Sequence, residues 1–204
     1  MAEFIRLYEN NPDEKKILQV VEVLKAGGII IYPTDTVYGM GCDITNMKAM
    51  ERLALIKGVK LSKSNFSIIC NDLSHIADYT KPITTATYKN KKKNLPGAFT
   101  FILKANNQLP KAFKGRDTIG IRVPDNNIPR LIVEHLGNPI VTTSVLDNDE
   151  ILEYTTDPEL IKERHDKIVD LIIDGGYGDN QASTVVDLSN DEVEIIREGK
   201  GVLI

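Results

Sequence analysis

Gly28-Ile29-Ile30-Ile31-Tyr32, running on into Pro33-Thr34-Asp35-Thr36-Val37-Tyr38-Gly39-Met40-Gly41, decides how this chain is read. The first five residues are a continuous apolar, β-branched run, which predicts a buried strand. Further on, Asn46 to Lys57 carries Met47, Met50, Leu53, Leu55 and Ile56 at helical spacing. Pro33 to Gly41 therefore reads as a strand-to-helix loop at the C-terminal mouth of a strand, where open α/β sheets bind ligands. Threonine hydroxyls and free backbone N–H groups there can hold phosphate or carboxylate without a dedicated metal. Proline and glycine serve a tight turn equally well. The loop alone leaves site and turn both open.

Working outward, Asp13 to Ala26 is a predicted helix, with Asn11-Pro12 ahead as a start signal and Gly27-Gly28 behind as a stop. Residues 66–70 read as a strand, followed by a short helix opened by Asp72 or Ser74. Thr84 to Asn94 reads as a basic helix stopped by Pro96-Gly97. Strands are predicted at 98–104 and at Thr118 to Val123, where Ile119, Ile121 and Val123 alternate with Thr118, Gly120 and Arg122. A helix over 128–136, a strand over 139–143, a helix over 157–165 and a strand over 169–173 follow. Residues 184–188 and 193–197 read as a hairpin around Ser189-Asn190-Asp191-Glu192. Elements of both kinds alternate without strict βαβ order. A single α/β domain over residues 1–204 is expected, built on a twisted mixed sheet with flanking helices. Asp147-Asn148-Asp149-Glu150 is the best candidate for a flexible excursion.

The bulk numbers bound the class. The chain has 204 residues, 42% hydrophobic and 26% charged, as expected of one globular domain. No apolar run approaches transmembrane length and the start lacks a secretory pattern, so a cytoplasmic protein with no membrane partner is expected. Cys42 and Cys70 are far apart and have no metal-ligand spacing; buried thiols are the expectation. The net charge of -4 conceals an asymmetry: residues 81–130 hold 11 Lys and Arg against 2 Asp and Glu, a net of +9. Such a block suits a polyanion such as a nucleotide or RNA, or is merely a solvated surface. The phosphate-binding pattern G-x-x-x-x-G-K-[ST], the dinucleotide pattern G-x-G-x-x-G and the serine nucleophile elbow are all missing. His75, His135 and His165 stand alone.

Polar residues recur at predicted strand ends. Thr118 and Arg122 share one face of a strand, Thr142-Thr143-Ser144 closes another, and Ser183-Thr184 and Arg197-Glu198-Gly199 bracket the hairpin. A guanidinium among hydroxyls suits a ligand with both carboxylate and phosphate.

In order, the segments PTDTVYGMGCD, a helix ending in Lys57, NFSIICNDLS, PGAFTFILK, TIGIRVP, TTS, ASTVVDLS and IIREG resemble the YrdC/YciO-like threonylcarbamoyl-AMP synthase family, from about Gly27 to Gly199. The resemblance implies a YrdC-like fold with a large concave basic face. It implies that L-threonine, bicarbonate and ATP give threonylcarbamoyl-AMP and pyrophosphate, for N6-threonylcarbamoyladenosine modification of tRNA, with Mg²⁺ on the phosphates. It also implies binding of tRNA or double-stranded RNA on the concave face. By the same resemblance Thr34, Thr36, Tyr38, Arg122, Thr142 and Ser183 would hold threonine. Lys57, Lys60, Thr118, Ser144 and Arg197 would face the nucleotide. Two positions depart from the synthase pattern. Where K-x-R-P is expected the chain reads Lys57-Gly58-Val59-Lys60, and where S-x-N is expected it reads Ser144-Val145-Leu146. Both look like the YciO branch. A nucleotide- or RNA-binding protein of the same fold without synthase activity is the alternative these departures keep open.

Overall fold

The computed structural model describes residues 1–113, 115–145, 153–190 and 192–204. In chain order the elements are β1 (Glu3–Arg6), α1 (Glu14–Lys25), β2 (Ile30–Tyr32), β3 (Gly39–Asp43), α2 (Met47–Ile56), β4 (Ser67–Ile69), α3 (Leu73–Ala77) and α4 (Thr85–Asn94). Then come β5 (Phe99–Lys104), β6 (Thr118–Arg122), α5 (Asn127–Leu136), β7 (Ile140–Ser144), α6 (Glu153–Thr156), α7 (Pro158–His165), β8 (Leu171–Asp174), β9 (Thr184–Asp187) and β10 (Glu194–Arg197). The described strands form one ten-stranded mixed sheet in the order β1-β8-β2-β3-β7-β4-β6-β5-β9-β10. Among the described residues no helix is long and apolar enough to cross a membrane.

Local chemistry sets the helix limits. The Asp13 carboxylate accepts from the N–H groups of Lys15 and Lys16 to cap α1, and Asn46 accepts from the N–H of Ala49 to cap α2. Gly137, at φ +76°, ends α5 in the left-handed conformation. Period-two alternation then assigns the sheet's faces. On one face, Ile30, Tyr32, Ile69, Ile140, Leu171 and Ile173 pack under Ile17, Val20, Val21 and Leu24 of α1 and Ile128, Ile132 and Val133 of α5. On the other, Ile31, Met40, Ile68, Phe101, Ile121, Val141 and Val186 pack with Ala49, Met50 and Leu53 of α2. Each fully buried Ile or Leu contributes about 1.5–3 kcal/mol of transfer free energy.

One expectation is corrected at the stretch quoted first. Pro33 to Gly41 is not a strand-to-helix loop. The chain turns over 33–38 and returns as β3, antiparallel to β2, with Ile30 opposite Gly41, Ile31 opposite Met40 and Tyr32 opposite Gly39. The glycines serve close packing. A Cβ on Gly39 would lie 2.8 Å from Tyr32 Cζ; one on Gly41 would lie 2.4 Å from the Val141 carbonyl oxygen and 3.4 Å from the Tyr32 ring. The Tyr32 ring can therefore lie over β3 and reach β7, where its hydroxyl meets Thr142 Oγ1 at 2.5 Å. Strand β1, paired parallel to β8, was also not expected from the sequence. Leu146 and the run 147–150 lie outside the described residues.

Candidate functional site

The face that α1 and α5 cover over one half of the sheet continues over the other half with polar side chains. Ser67 and Thr142 stand directly opposite each other on β4 and β7. Arg122 takes the place next to Ile69 on β6, and Thr100 on β5 bonds across to Ser183 Oγ at 2.8 Å. Together with Val37, Asn65, Ser144 and Arg197 they line a cleft of about 280 Å³. Registration alone places them side by side, because Ser67, Thr100, Arg122 and Thr142 each sit one residue from a core-facing apolar neighbour.

Arg122 is the charge at the floor of this cleft. It is 8% exposed. One terminal nitrogen, Nη2, donates to Asp35 Oδ1 at 3.0 Å and to Thr36 Oγ1 at 2.9 Å. Its Nε is buried and has no hydrogen-bond partner. Burial pushes its pKa below the ordinary arginine value, with the Asp35 carboxylate opposing that shift. Asp35 is itself held: its Oδ2 accepts from the N–H of Asp125 at 3.0 Å, and its carbonyl accepts from Lys200 Nζ at 2.7 Å. Arg197 closes the far side, donating from Nη2 to the Ser183 carbonyl at 2.7 Å. Burial pushes the Tyr32 phenol upward, so it stays a neutral partner for Thr142.

The residues expected at the site fall into three groups. Arg122, Thr142, Ser183, Ser144 and Arg197 share the cleft. Thr34 and Thr36 lie behind the Asp35–Arg122 pair, on a neighbouring cavity of about 830 Å³ that Asp125, Asp179 and Lys200 also line. Thr34 Oγ1 is engaged locally, donating to the Val37 carbonyl at 2.8 Å and accepting from the Thr36 N–H at 3.0 Å. Tyr38 does not line the cleft. Alternation turns Val37 toward it and Tyr38 away, into the opposite core. The Tyr38 hydroxyl donates to the Gly176 carbonyl at 2.6 Å and accepts from the Gly175 N–H at 3.1 Å. Its work is to anchor the segment after β8.

Of the residues expected to face a nucleotide, Lys57 donates from Nζ to the Ser144 carbonyl at 3.1 Å, at the end of β7. Thr118 lines a second cleft of about 620 Å³, which shares Asn65, Ser67 and Thr100 with the first. Lys60 is exposed and lines neither cleft. The second cleft brings in Lys63 and Arg116. Arg116 Nη2 donates to the Leu61 carbonyl at 3.1 Å and to Ser64 Oγ at 3.0 Å, with its guanidinium 5.0 Å from the Phe113 ring centroid. Of the basic block, Arg116 and Arg122 line the two clefts, Lys89, Lys92 and Lys93 are exposed on α4, and Lys91 is buried.

Sequence reasoning missed Asp35, Tyr32, Thr100, Ser67 and Arg116. Asp35 carried a signal, an acid flanked by two threonines before a buried strand. Thr100, Ser67 and Arg116 carried none, because only cross-strand register brings them to the cleft. Both thiols are buried, and burial pushes Cys42 up to about 12, which fits no nucleophilic role. The two joined clefts place a buried guanidinium among hydroxyls at one end and Arg116 with Lys63 at the other. That arrangement can orient a molecule bearing a carboxylate and a phosphate chain.

A family model for the Sua5/YciO/YrdC domain, described as "Telomere recombination", matches residues 22–199. The chain is 41% identical over 204 residues to the uncharacterized protein YciO of Escherichia coli (strain K12), spanning 98% of this chain and 97% of that one. The E. coli YciO crystal structure superposes with a TM-score of 0.90 at 40% identity, covering 99% and 98% of the two chains. A threonylcarbamoyl-AMP synthase of Nitrosococcus oceani is 32% identical over 130 residues, 63% of this chain and 70% of that one. The crystal structure of P. abyssi Sua5 complexed with L-threonine shares the fold, with a TM-score of 0.83 at 24% identity over 96% of this chain and 57% of that one. The chain belongs to the Sua5/YciO/YrdC family.

Proposed function

We propose that the protein is a threonylcarbamoyl-AMP synthase-type enzyme. L-threonine, bicarbonate and ATP would give threonylcarbamoyl-AMP and pyrophosphate for N6-threonylcarbamoyladenosine modification of tRNA in the cytoplasm. The observation that carries the reading is Arg122, a buried guanidinium with an unpartnered Nε, at the head of a hydroxyl-lined cleft that joins a second cleft bearing Arg116 and Lys63. The relative named as a synthase and the fold relative described with L-threonine support the same substrate class.

In this reading Arg122 takes the threonine carboxylate, with Thr142 and Ser183 beside it. The amine, fixed at one end, adds to CO₂ and releases a proton, or displaces water from bicarbonate, to form a carbamate. A carbamate oxygen then attacks the α-phosphorus of ATP, and pyrophosphate leaves. Alignment and charge neutralisation do most of the work in such transfers. Ser144 and Arg197 would border the adenylate. Thr118, Arg116 and Lys63 would face the departing phosphates. Arg116 is a planar donor of the kind the Lys57-Gly58-Val59 segment lacks. Among the described residues no group of three or more His, Cys, Asp or Glu side chains could hold a metal. Mg²⁺ would then arrive on the phosphates of ATP, whose charge it neutralises.

The test is threonine-dependent release of pyrophosphate from ATP with bicarbonate and Mg²⁺, with the adenylate followed by mass spectrometry. Arg122→Met should abolish threonine-dependent release, and Arg116→Met should raise the KM for ATP roughly tenfold, the loss of one charge-assisted contact. No release above a heat-killed control overturns the proposal. The second reading, a double-stranded RNA- or tRNA-binding protein without synthase activity, rests on the exposed Lys89, Lys92 and Lys93 of α4. It expects duplex binding that weakens steeply with salt and is lost when these three become glutamates.

A further inference from the structure

Helix α4 inverts the usual pattern of a surface helix. Its buried side chains are Thr87, Lys91 and Asn94, all polar. Two of them are satisfied. Thr87 Oγ1 meets Thr84 Oγ1 at 3.0 Å; Asn94 donates to the Asn90 carbonyl at 2.8 Å and accepts from the Ile204 N–H at 3.1 Å. Lys91 is 2% exposed as a residue, yet its Nζ, with no ion pair or side-chain hydrogen bond among the described residues, is not fully enclosed. A poorly solvated ammonium without a counter-charge is unfavourable: it loses its proton more easily or is stabilised by an anion that reaches it. Lys91 lines a cavity of about 550 Å³ between α3, the 80–83 connection and α4. Leu73, Ala77, Pro82, Ile83 and the Tyr88 ring supply most of the rest of its wall. Its volume lies within the range of small-molecule sites. It shares no lining residue with the two clefts on the sheet.

We propose that this cavity is a binding site for a small monocarboxylate with an apolar body, the carboxylate taken by Lys91 Nζ and the body by the walls of α3 and the 80–83 connection. A doubly charged or phosphorylated ligand does not fit, since Lys81 is the one other cation in the lining and it is exposed. A neutral apolar ligand would leave Lys91 unpaired. A short aliphatic or aromatic acid satisfies both the charge and the walls. Burial already pushes the Lys91 ammonium down to about 8, an indication of how poorly it is solvated there.

The experiment is calorimetric titration of the full chain with benzoate and with hexanoate, against benzamide and hexanamide as neutral isosteres. Chemical-shift perturbation follows the same titrations to locate the binding. The carboxylates should bind at least about tenfold more tightly than the amides, the worth of one charge-assisted hydrogen bond. Lys91→Met should remove that preference while the protein stays folded. Ile83→Trp, which fills the cavity and keeps the lysine, should block both kinds of ligand. Carboxylates that do not bind, or that bind Lys91→Met as tightly as the wild type, or that perturb residues away from α3 and α4, overturn the proposal. So does equal affinity for acid and amide.

Discussion

The pair Asp35–Arg122 offers the sharpest test of how the site is built. Its side chains are 9% and 10% exposed, with Oδ1 and Nη2 3.0 Å apart. Asp35→Ala would leave Arg122 charged and buried without its counter-charge, with Nη2 held by Thr36 alone and Nε unpartnered. Breaking one side of a buried pair costs about 3–5 kcal/mol, mostly as the penalty on the charge left behind. In a protein of this size each kcal/mol shifts Tm by about 2–4 °C, so a fall of roughly 6–20 °C is expected. Arg122→Met alone removes the buried cation, and the double variant removes the orphan altogether. Urea unfolding of all four proteins closes the cycle. The double variant should be more stable than Asp35→Ala, despite carrying one more substitution. An Asp35→Ala cost below about 1 kcal/mol, the worth of a solvent-screened pair, would refute the reasoning. So would a double variant no more stable than Asp35→Ala.

Three further outcomes are expected. Gly39→Ala drives a Cβ to 2.8 Å from the Tyr32 ring and should cost about 1–3 kcal/mol by overpacking; an unchanged thermal midpoint would show that the ring does not need β3 bare. Tyr38→Phe removes both hydrogen bonds to the segment after β8 and should cost about 1–3 kcal/mol, yet leave threonine-induced thermal protection intact; loss of that protection at unchanged stability would put Tyr38 in the cleft. Lys91 titrates at about 8 when folded against 10.5 as the ordinary value, so between those pH values the unfolded chain binds more protons. The stability of wild type relative to Lys91→Met should therefore rise by about 3 kcal/mol as pH climbs through that window. Urea midpoints of the two proteins measured across it decide the matter, and a flat difference sinks the burial argument.

Most helices were legible in the sequence because their first turns carry capping side chains, whereas α6 was not expected. Asp13, Asn46, Asp72, Thr84 and Asn126 cap helices through side-chain oxygens, and Gly137 ends one. The apolar strands were legible from their β-branched runs. What failed was β3, whose Gly-Met-Gly-Cys has the composition of a turn. Its glycines answer to the ring of Tyr32, a contact made across two strands, and no local rule contains that information. Strand β1 failed for a similar reason: four residues with one buried position take their identity from the parallel partner β8.

The site divides along the same line. Arg122 stood out because it alternates with Ile121 and Val123 on its strand, whereas Thr142, followed by Thr143 and Ser144, was singled out only by the family resemblance. Tyr38 was expected beside the threonines of its motif, and in the structure it lies outside the cleft because alternation sends Val37 and Tyr38 to opposite faces. Asp35 was overlooked although it lies between two threonines that were chosen, and its role changes the chemistry asked of Arg122. The guanidinium is not an open hook. Asp35 and Thr36 already hold Nη2, so in the proposed reading the threonine carboxylate would have to take the remaining donors or displace Asp35. Displacement is not free, since Asp35 also accepts from the N–H of Asp125 while its carbonyl holds Lys200. Asp35 therefore fixes the orientation of Arg122 before any ligand arrives, and the binding strength left to the cleft is set by the donors that Asp35 does not use.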